Sequence, residues 1–237
     1  MCIRDRARGA LCSLPKGWDS KMTAFGLKLL ALFTMTADHI GAVLFPQEQW
    51  IRIIGRMSFP IYCFLLSEGL LHTRSAMKYA LRLGVFSLIS EPAYDLAFSH
   101  TLWDPSRQNV FFTLLLGLLA GELLLKKGGE HPALSTMPAI LCAVLAEALH
   151  ADYGAMGVCF ILCFALISKR AAACAAFALM NTADSLMGGG VQLYAPVAVI
   201  PILLYNGKKG RSFPKYAFYA FYPIHLFLLS ILFHFIR

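Results

Sequence analysis

The 237-residue chain is 58% hydrophobic with a mean hydropathy of +0.64, beyond what a soluble domain with a polar exterior reaches. Its formal net charge of +8 falls in short clusters between apolar runs. No helix-turn-helix, aromatic stacking platform or zinc spacing accompanies them, so they read as membrane-topology signals and argue against a nucleic-acid partner. The length suits one integral domain in a lipid bilayer, with no room for a sizeable soluble one.

Residues 1–21 differ in character from the rest of the chain. They begin with the charged run Met1-Cys-Ile-Arg-Asp-Arg and contain no apolar core, so no signal peptide is expected there. They read as a non-conforming or disordered extension before a single integral domain over residues 22–237, with Met22 as the expected start.

From there the chain reads as an all-α, polytopic transmembrane helix bundle of about nine spans. The apolar runs lie near 25–45, 57–71, 79–98, 110–125, 133–149, 154–168, 171–187, 191–205 and 216–236. Pro92 is expected to break the third run, and Met57-Ser-Phe-Pro60 to begin the second with a bend. Gly117 and Gly121 form a small-x-x-x-small pair suited to close helix packing. Gly188-Gly-Gly is a tight link rather than a phosphate loop, since neither a strand nor a Lys-Ser/Thr pair accompanies it.

Basic clusters follow every second run: Arg74, Lys78 and Arg82; Lys126 and Lys127; Lys169 and Arg170; Lys208, Lys209, Arg211 and Lys215. The alternate loops hold only Arg52, Arg56 and Arg107. With nine spans the excess of positive charge on the inner side places the N-terminus in the cytoplasm. Cys63, Cys142, Cys159, Cys163 and Cys174 lie inside apolar runs and read as small hydrophobes, so neither a metal site nor a disulfide framework is expected.

Asp38 and His39 stand side by side inside the first run. An ionisable side chain at that depth costs about 2.5–3.5 kcal/mol on insertion scales, so two in succession need a partner, a polar cavity or chemistry. Adjacent helical residues project about 100° apart, so the pair need not face one another. Structural pairing of Asp38 to an arginine and a proton-handling role for His39 both stay open. Arg56 is a partner for Asp38 or an interfacial anchor. Glu68 and His72, at i and i+4, form a local polar pair or line a substrate entry, and Arg82 shares those alternatives. Glu91 and Asp95 share a face around Pro92, where two ionised carboxylates would repel, so one is expected protonated or paired to Arg56 or His39. His225 in the last run needs a partner, either in the core or in a site.

Several short stretches together resemble the TraX family. They are Ala31-Leu-Phe-Thr-Met-Thr-Ala-Asp-His-Ile-Gly41 and Gly55-Arg-Met-Ser-Phe-Pro-Ile-Tyr-Cys-Phe-Leu-Leu-Ser-Glu-Gly69, then Arg82-Leu, and Ile89-Ser-Glu-Pro92 with Asp95. Asn109-Val-Phe-Phe-Thr113, Asp152-Tyr-Gly154, Tyr205-Asn-Gly207 and Phe218-Tyr-Ala-Phe-Tyr-Pro-Ile-His225 complete the set. The resemblance covers roughly residues 23–237. It implies a multi-pass protein of the bacterial cytoplasmic membrane, linked to conjugation and pilin acetylation and similar in plan to membrane acyltransferases. It further implies acetyl transfer from cytoplasmic acetyl-CoA to a protein N-terminus or another envelope acceptor, with no metal. His39 would be the base or acyl carrier, Asp38 would orient it, and Arg56, Glu68, Arg82, Glu91, Asp95 and His225 would bind substrate. A proton-coupled transporter and a non-catalytic assembly factor are the alternatives.

Overall fold

The computed structural model describes residues 22–127, 132–188, 190–211 and 214–236; the extension at residues 1–21 and Gly189 of the glycine link lie outside them. Each apolar run becomes helical. α1 spans Ala24–Val43, α2 Gln49–Gly55, α3 Ser58–His72, α4 Ala76–Phe98 and α5 Val110–Lys127. α6 spans Pro132–Ala148, α7 Gly154–Leu166 and α8 Arg170–Gly188; a 3₁₀ segment at Val191–Ala198 then leads into α9 at Val199–Leu203, and α10 covers Lys215–Ile236. Among the described residues there is no β-strand, only the isolated bridges Met22 to Tyr205 and Gln108 to Ala151.

Local chemistry sets several helix starts. The Thr23 hydroxyl accepts from the Gly26 amide at 3.2 Å to cap α1, and Ser75 accepts from the Lys78 amide at 3.3 Å to cap α4. Pro60 lies in the first turn of α3, where its missing N–H leaves no bond unmade. Two expectations are corrected. Pro92 does not break the third run: α4 continues through it from Ala76 to Phe98, because α5 and α10 pack along the helix and only one ladder bond is lost. Arg52 lies not in a loop but on α2, which with α3 forms one helical stretch over Gln49–His72.

α3 is the central element. Phe59, Ile61, Phe64, Leu70 and Leu71 on it are essentially inaccessible, and α1, α5, α7 and the 3₁₀ segment all pack against it. The Gly117 and Gly121 expectation holds: a β-carbon at 117 would lie 3.1 Å from Ile161 Cβ, and one at 121 would lie 3.0 Å from Leu70 Cδ2. These glycines let α5 close onto α7 and α3.

Backbone bonds tie the two ends of the bundle. At one end the Ala24 and Phe25 amides donate to the Lys208 and Lys209 carbonyls at 2.9 and 3.1 Å. Arg170, at the start of α8, donates to the carbonyl of Tyr205, which bridges to Met22, and with Lys208 and Lys209 it marks what we call the basic end. At the other, the Gln108 amide donates to the His150 carbonyl at 3.1 Å and the Asp152 amide to the Gln108 carbonyl at 2.9 Å.

The outer surface is apolar. On α4, Met77, Leu81, Val85 and Leu88 stand exposed, with Leu88 at 68%, while Glu91 and Asp95 on the same helix are buried. This inverts the pattern of a soluble helix. Among the described residues two stretches, Gln49–His72 with 24 residues and Tyr216–Ile236 with 21, are long and apolar enough to cross a membrane.

Candidate functional site

α1 carries Asp38 and His39 about 22 Å along its axis from the basic end, by the rise of an α-helix over the 15 residues from Ala24. The two side chains go different ways. The Asp38 carboxylate forms an ion pair with the Arg56 guanidinium, and Arg52 Nε lies 3.8 Å from its other oxygen. α2 can bring Arg56 this close because it meets α1 at Gly55, where a β-carbon would sit 2.6 Å from Asp38 Cα. Arg56 Nη1 also donates to the Tyr153 hydroxyl at 3.5 Å. The Tyr153 ring stacks on Phe59, with centroids 3.6 Å apart and planes 7° apart.

His39 turns instead to α10. Its Nδ1 lies 2.6 Å from His225 Nε2, with the two rings within 10° of coplanar. His225 Nδ1 lies 2.8 Å from the Phe221 carbonyl oxygen, which can only accept, so Nδ1 is the protonated nitrogen of His225. In the neutral pair His225 Nε2 must then accept, and His39 Nδ1–H must donate. His39 Nε2 is left with a lone pair. Phe98 and Tyr222 stand edge-on to the His39 ring at 5.7 and 5.8 Å, and His39 itself is only partly buried. An imidazole held in one tautomer with a free basic nitrogen is equipped for proton transfer.

The expectation that Asp38 orients His39 is therefore corrected: His225 holds the ring, and Asp38 faces Arg56. The expected pairing of Glu91 or Asp95 with Arg56 or His39 is also replaced. Glu91 Oε1 accepts from the Asn109 amide at 2.9 Å and from Asn109 Nδ2 at 2.8 Å, and Asp95 accepts from the Asp104 amide at 2.9 Å. Both carboxylates anchor the loop between α4 and α5 because that loop offers free N–H groups that no side-chain matching reveals. Half-buried Asp104 in turn is held below the usual carboxylate range by Ser106 and Ser99.

Glu68 and Arg82 lie toward the basic end, away from His39. Nδ1 of His72 lies 2.8 Å from the Glu68 carbonyl oxygen and 3.9 Å from its carboxylate, which is the local polar pair. Arg82 lies over the Tyr79 ring at 5.3 Å. Of the expected site residues, the structure thus joins Asp38 to Arg56 and His39 to His225, and sets Glu68, Arg82, Glu91 and Asp95 elsewhere. Among the described residues no group of three or more His, Cys, Asp and Glu side chains is placed to hold a metal ion.

Sequence reasoning left the turn 149–153 out of the site, although Asp152-Tyr-Gly154 was one of its recognisable motifs. The Thr113 hydroxyl donates to the Asp152 carbonyl and fixes this turn onto α5. Burial pushes the Asp152 carboxyl up to about 6, opposed by Arg56 and reinforced by Asp38. A cleft of about 380 Å³ opens here, lined by Tyr94, Arg107, Glu147, His150, Asp152 and Asp184 among others.

Comparison with known proteins adds to this geometry. A family model described as "TraX protein" matches residues 25–233. The chain is similar to "Probable fimbrial assembly protein FimC, serogroup H1" of Dichelobacter nodosus, 32% identical over 234 residues that cover 87% of this chain and 94% of that one. It is also similar to an uncharacterised protein of Rickettsia prowazekii, 53% identical over 38 residues, or 16% of this chain and 15% of that one. No solved structure matches it.

Proposed function

The chain belongs to the TraX family, and on that premise we propose that it is an acetyltransferase of the bacterial inner membrane. The likeness to a protein named for fimbrial assembly supports the coarser reading, a membrane protein connected with pili or conjugation. In the finer reading the helical stretches cross the bilayer, and the basic end faces the cytoplasm with the N-terminus. The apolar outer faces of α4 and α10 support that placement.

The observation that carries the proposal is the His39–His225 pair. Acetyl-CoA, as donor substrate, keeps its phosphates among Arg74 and Lys78 at the basic end and extends its acetyl thioester inward. The acceptor, the free amine of a pilin-like protein or another envelope molecule, comes from the opposite end. The amine nitrogen attacks the thioester carbonyl, a C–N bond forms, and the C–S bond breaks. His39 Nε2 takes the proton the amine loses and returns it to the departing CoA sulfur. His225 Nε2 accepts from His39 Nδ1–H throughout and so stabilises the imidazolium. Asp38 and Arg56 hold α1 against α2 beside the reacting groups.

Membrane vesicles containing the protein, supplied with radiolabelled acetyl-CoA and an amine acceptor, test this. His39→Ala is expected to lower transfer about 10²–10⁴-fold with normal expression. Full transfer by His39→Ala sinks the assignment. A non-catalytic assembly factor is the second reading, favoured by the loop-anchoring bonds of Glu91 and Asp95. It predicts no transfer by either protein and unimpaired pilus assembly in the His39→Ala strain.

A further inference from the structure

A second cleft, of about 480 Å³, lies between the last turns of α4 and α10, at the end of the bundle remote from the basic end. Its lining is ordered by polarity along the helices. Leu96 on α4 and Phe227 on α10 lie deepest. Ser230 stands about one turn nearer the end of α10, and His234 about one turn beyond Ser230. On the other side, His100 follows the end of α4, and its ring stacks on Phe233 with centroids 4.6 Å apart and planes 11° apart. Stacking engages the faces of the His100 ring and leaves its nitrogens on the edge.

The cleft beside Asp152 is ringed by carboxylates, whereas among the described residues none lines this one. Its polar side chains, His100, Ser230 and His234, can each donate a hydrogen bond, so the mouth complements an anion. Its depth follows from its neighbours. Leu102 and Trp103, just past His100, are 71% and 73% exposed. In a bilayer an exposed tryptophan at the end of an apolar helix marks the headgroup level. The two histidines then stand at that level, with Phe227 about 10 Å below His234, inside the hydrocarbon. Phe227 and Leu228 are exposed beside the cleft, which therefore opens sideways toward lipid. A partner helix would match an apolar stripe along the whole of α10. A polar mouth over an apolar floor matches a headgroup with a chain.

We propose that this cleft seats one glycerophospholipid of the leaflet opposite the basic end. His100 and His234 donate N–H to its phosphate, Ser230 donates to an ester carbonyl one turn below, and an acyl chain runs past Ile231 to Leu96 and Phe227. The lipid braces α4 against α10, the two helices that bring Phe98 and His225 to His39. This rests on the bilayer placement proposed above and not on acetyl transfer.

The test uses full-length protein in nanodiscs doped with phosphatidylcholine carrying a diazirine in one acyl chain, or with diacylglycerol carrying the same chain. After irradiation, labelled peptides are mapped by mass spectrometry. Phosphatidylcholine is expected to label residues 96–100 and 227–235 at least about tenfold above the exposed α4 face at Leu81–Leu88, and diacylglycerol to label both regions alike. His100→Phe combined with His234→Phe keeps the stack on Phe233 and should lower cleft labelling by phosphatidylcholine about tenfold, to the diacylglycerol level. Ser230→Trp fills the cleft and should abolish its labelling while the α4 face stays labelled, which reports a folded, inserted protein. Equal labelling of cleft and face by phosphatidylcholine means annular lipid only and overturns the proposal. So does equal cleft labelling by the two lipids, or wild-type labelling in the double variant. A photoreactive phenylalanine analogue in place of Ile231 should capture lipid, and capture of a second copy or another protein instead overturns the lipid as occupant. Labelling of the face without the cleft sinks the lipid seat and leaves the bilayer placement standing, whereas no labelling of either region sinks both.

Discussion

Asp38 and His39 are consecutive residues of one helix, and the structure gives them opposite surroundings. Asp38 is a buried charge closed off by two arginines, with Gly55 pressed against its backbone. His39 is a neutral ring held by one hydrogen bond to another neutral ring, with aromatic edges around it and one nitrogen unused. A buried ion pair fixes geometry, because breaking it strands a charge. A neutral ring with a lone pair can change protonation and return at little structural cost. The energetic anomaly of two ionisable residues in an apolar run thus resolves into an architectural half and a chemical half.

The sharpest way to break this division is to remove Arg56. Arg56→Met leaves the Asp38 carboxylate buried without its main partner and is expected to destabilise the protein by about 3–5 kcal/mol, read as a lower thermal midpoint in detergent. The double variant Asp38→Leu with Arg56→Met should recover most of that loss, because two apolar groups replace the pair. If the single variant melts like wild type, the pair is not architectural. Gly55→Ala probes the same contact sterically. Its methyl group would sit 2.6 Å from Asp38 Cα, so α2 must shift, at a cost of about 1–3 kcal/mol.

The chemical half should respond the other way. His225→Phe keeps a ring against Phe221 and Tyr222 but removes the acceptor for His39 Nδ1–H. The expected stability change is about 1 kcal/mol, the worth of one neutral hydrogen bond. Acetyl transfer should fall about tenfold or more, because the bond lost is stronger once His39 is charged. A stability loss as large as that of Arg56→Met, with no separate effect on transfer, would place His39 in the architectural half as well.

How much of this was legible beforehand depended on what kind of partner each residue has. Among the described residues every apolar run became a helical stretch, because burial of apolar side chains dominates local structure in so hydrophobic a chain. The Asp38–Arg56 pair was readable as one possibility, since opposite charges near the same end of two adjacent runs have few other partners. The partners of Glu91 and Asp95 were not, because backbone amides of Asn109 and Asp104 carry no side-chain signature. His39 and His225 were each flagged as buried groups needing company. Their meeting, 186 residues apart in sequence, depends on α10 packing beside α1, which no local pattern encodes. Pro92 misled because a helix packed between neighbours tolerates a proline that an isolated one does not.

The smallest effect decides to which half Asp152 belongs. Its neighbours are Arg56, Asp38, Arg107, Tyr94 and Tyr222, with Glu147, His150 and Asp184 around the same cleft. If Arg56 dominated, Asp152 would be a second carboxylate of the ion-pair centre, with its pKa held below 3.8. Burial prevails instead and raises it to about 6. Between 3.8 and about 6 the folded protein keeps a proton that the unfolded chain has released, so folding is favoured at the acid end of that window. The contribution is lost as pH rises toward 6 and changes no further above it. Thermal midpoints of wild type and Asp152→Asn, compared from about pH 4 to about pH 7, isolate this group from the other carboxylates. Relative to the variant, the wild type should lose stability as pH rises through the window. A pH-independent difference would mean that Asp152 titrates as an ordinary carboxylate. A wild type that gains on the variant with rising pH would join Asp152 to the Asp38–Arg56 pair and remove it from the cleft.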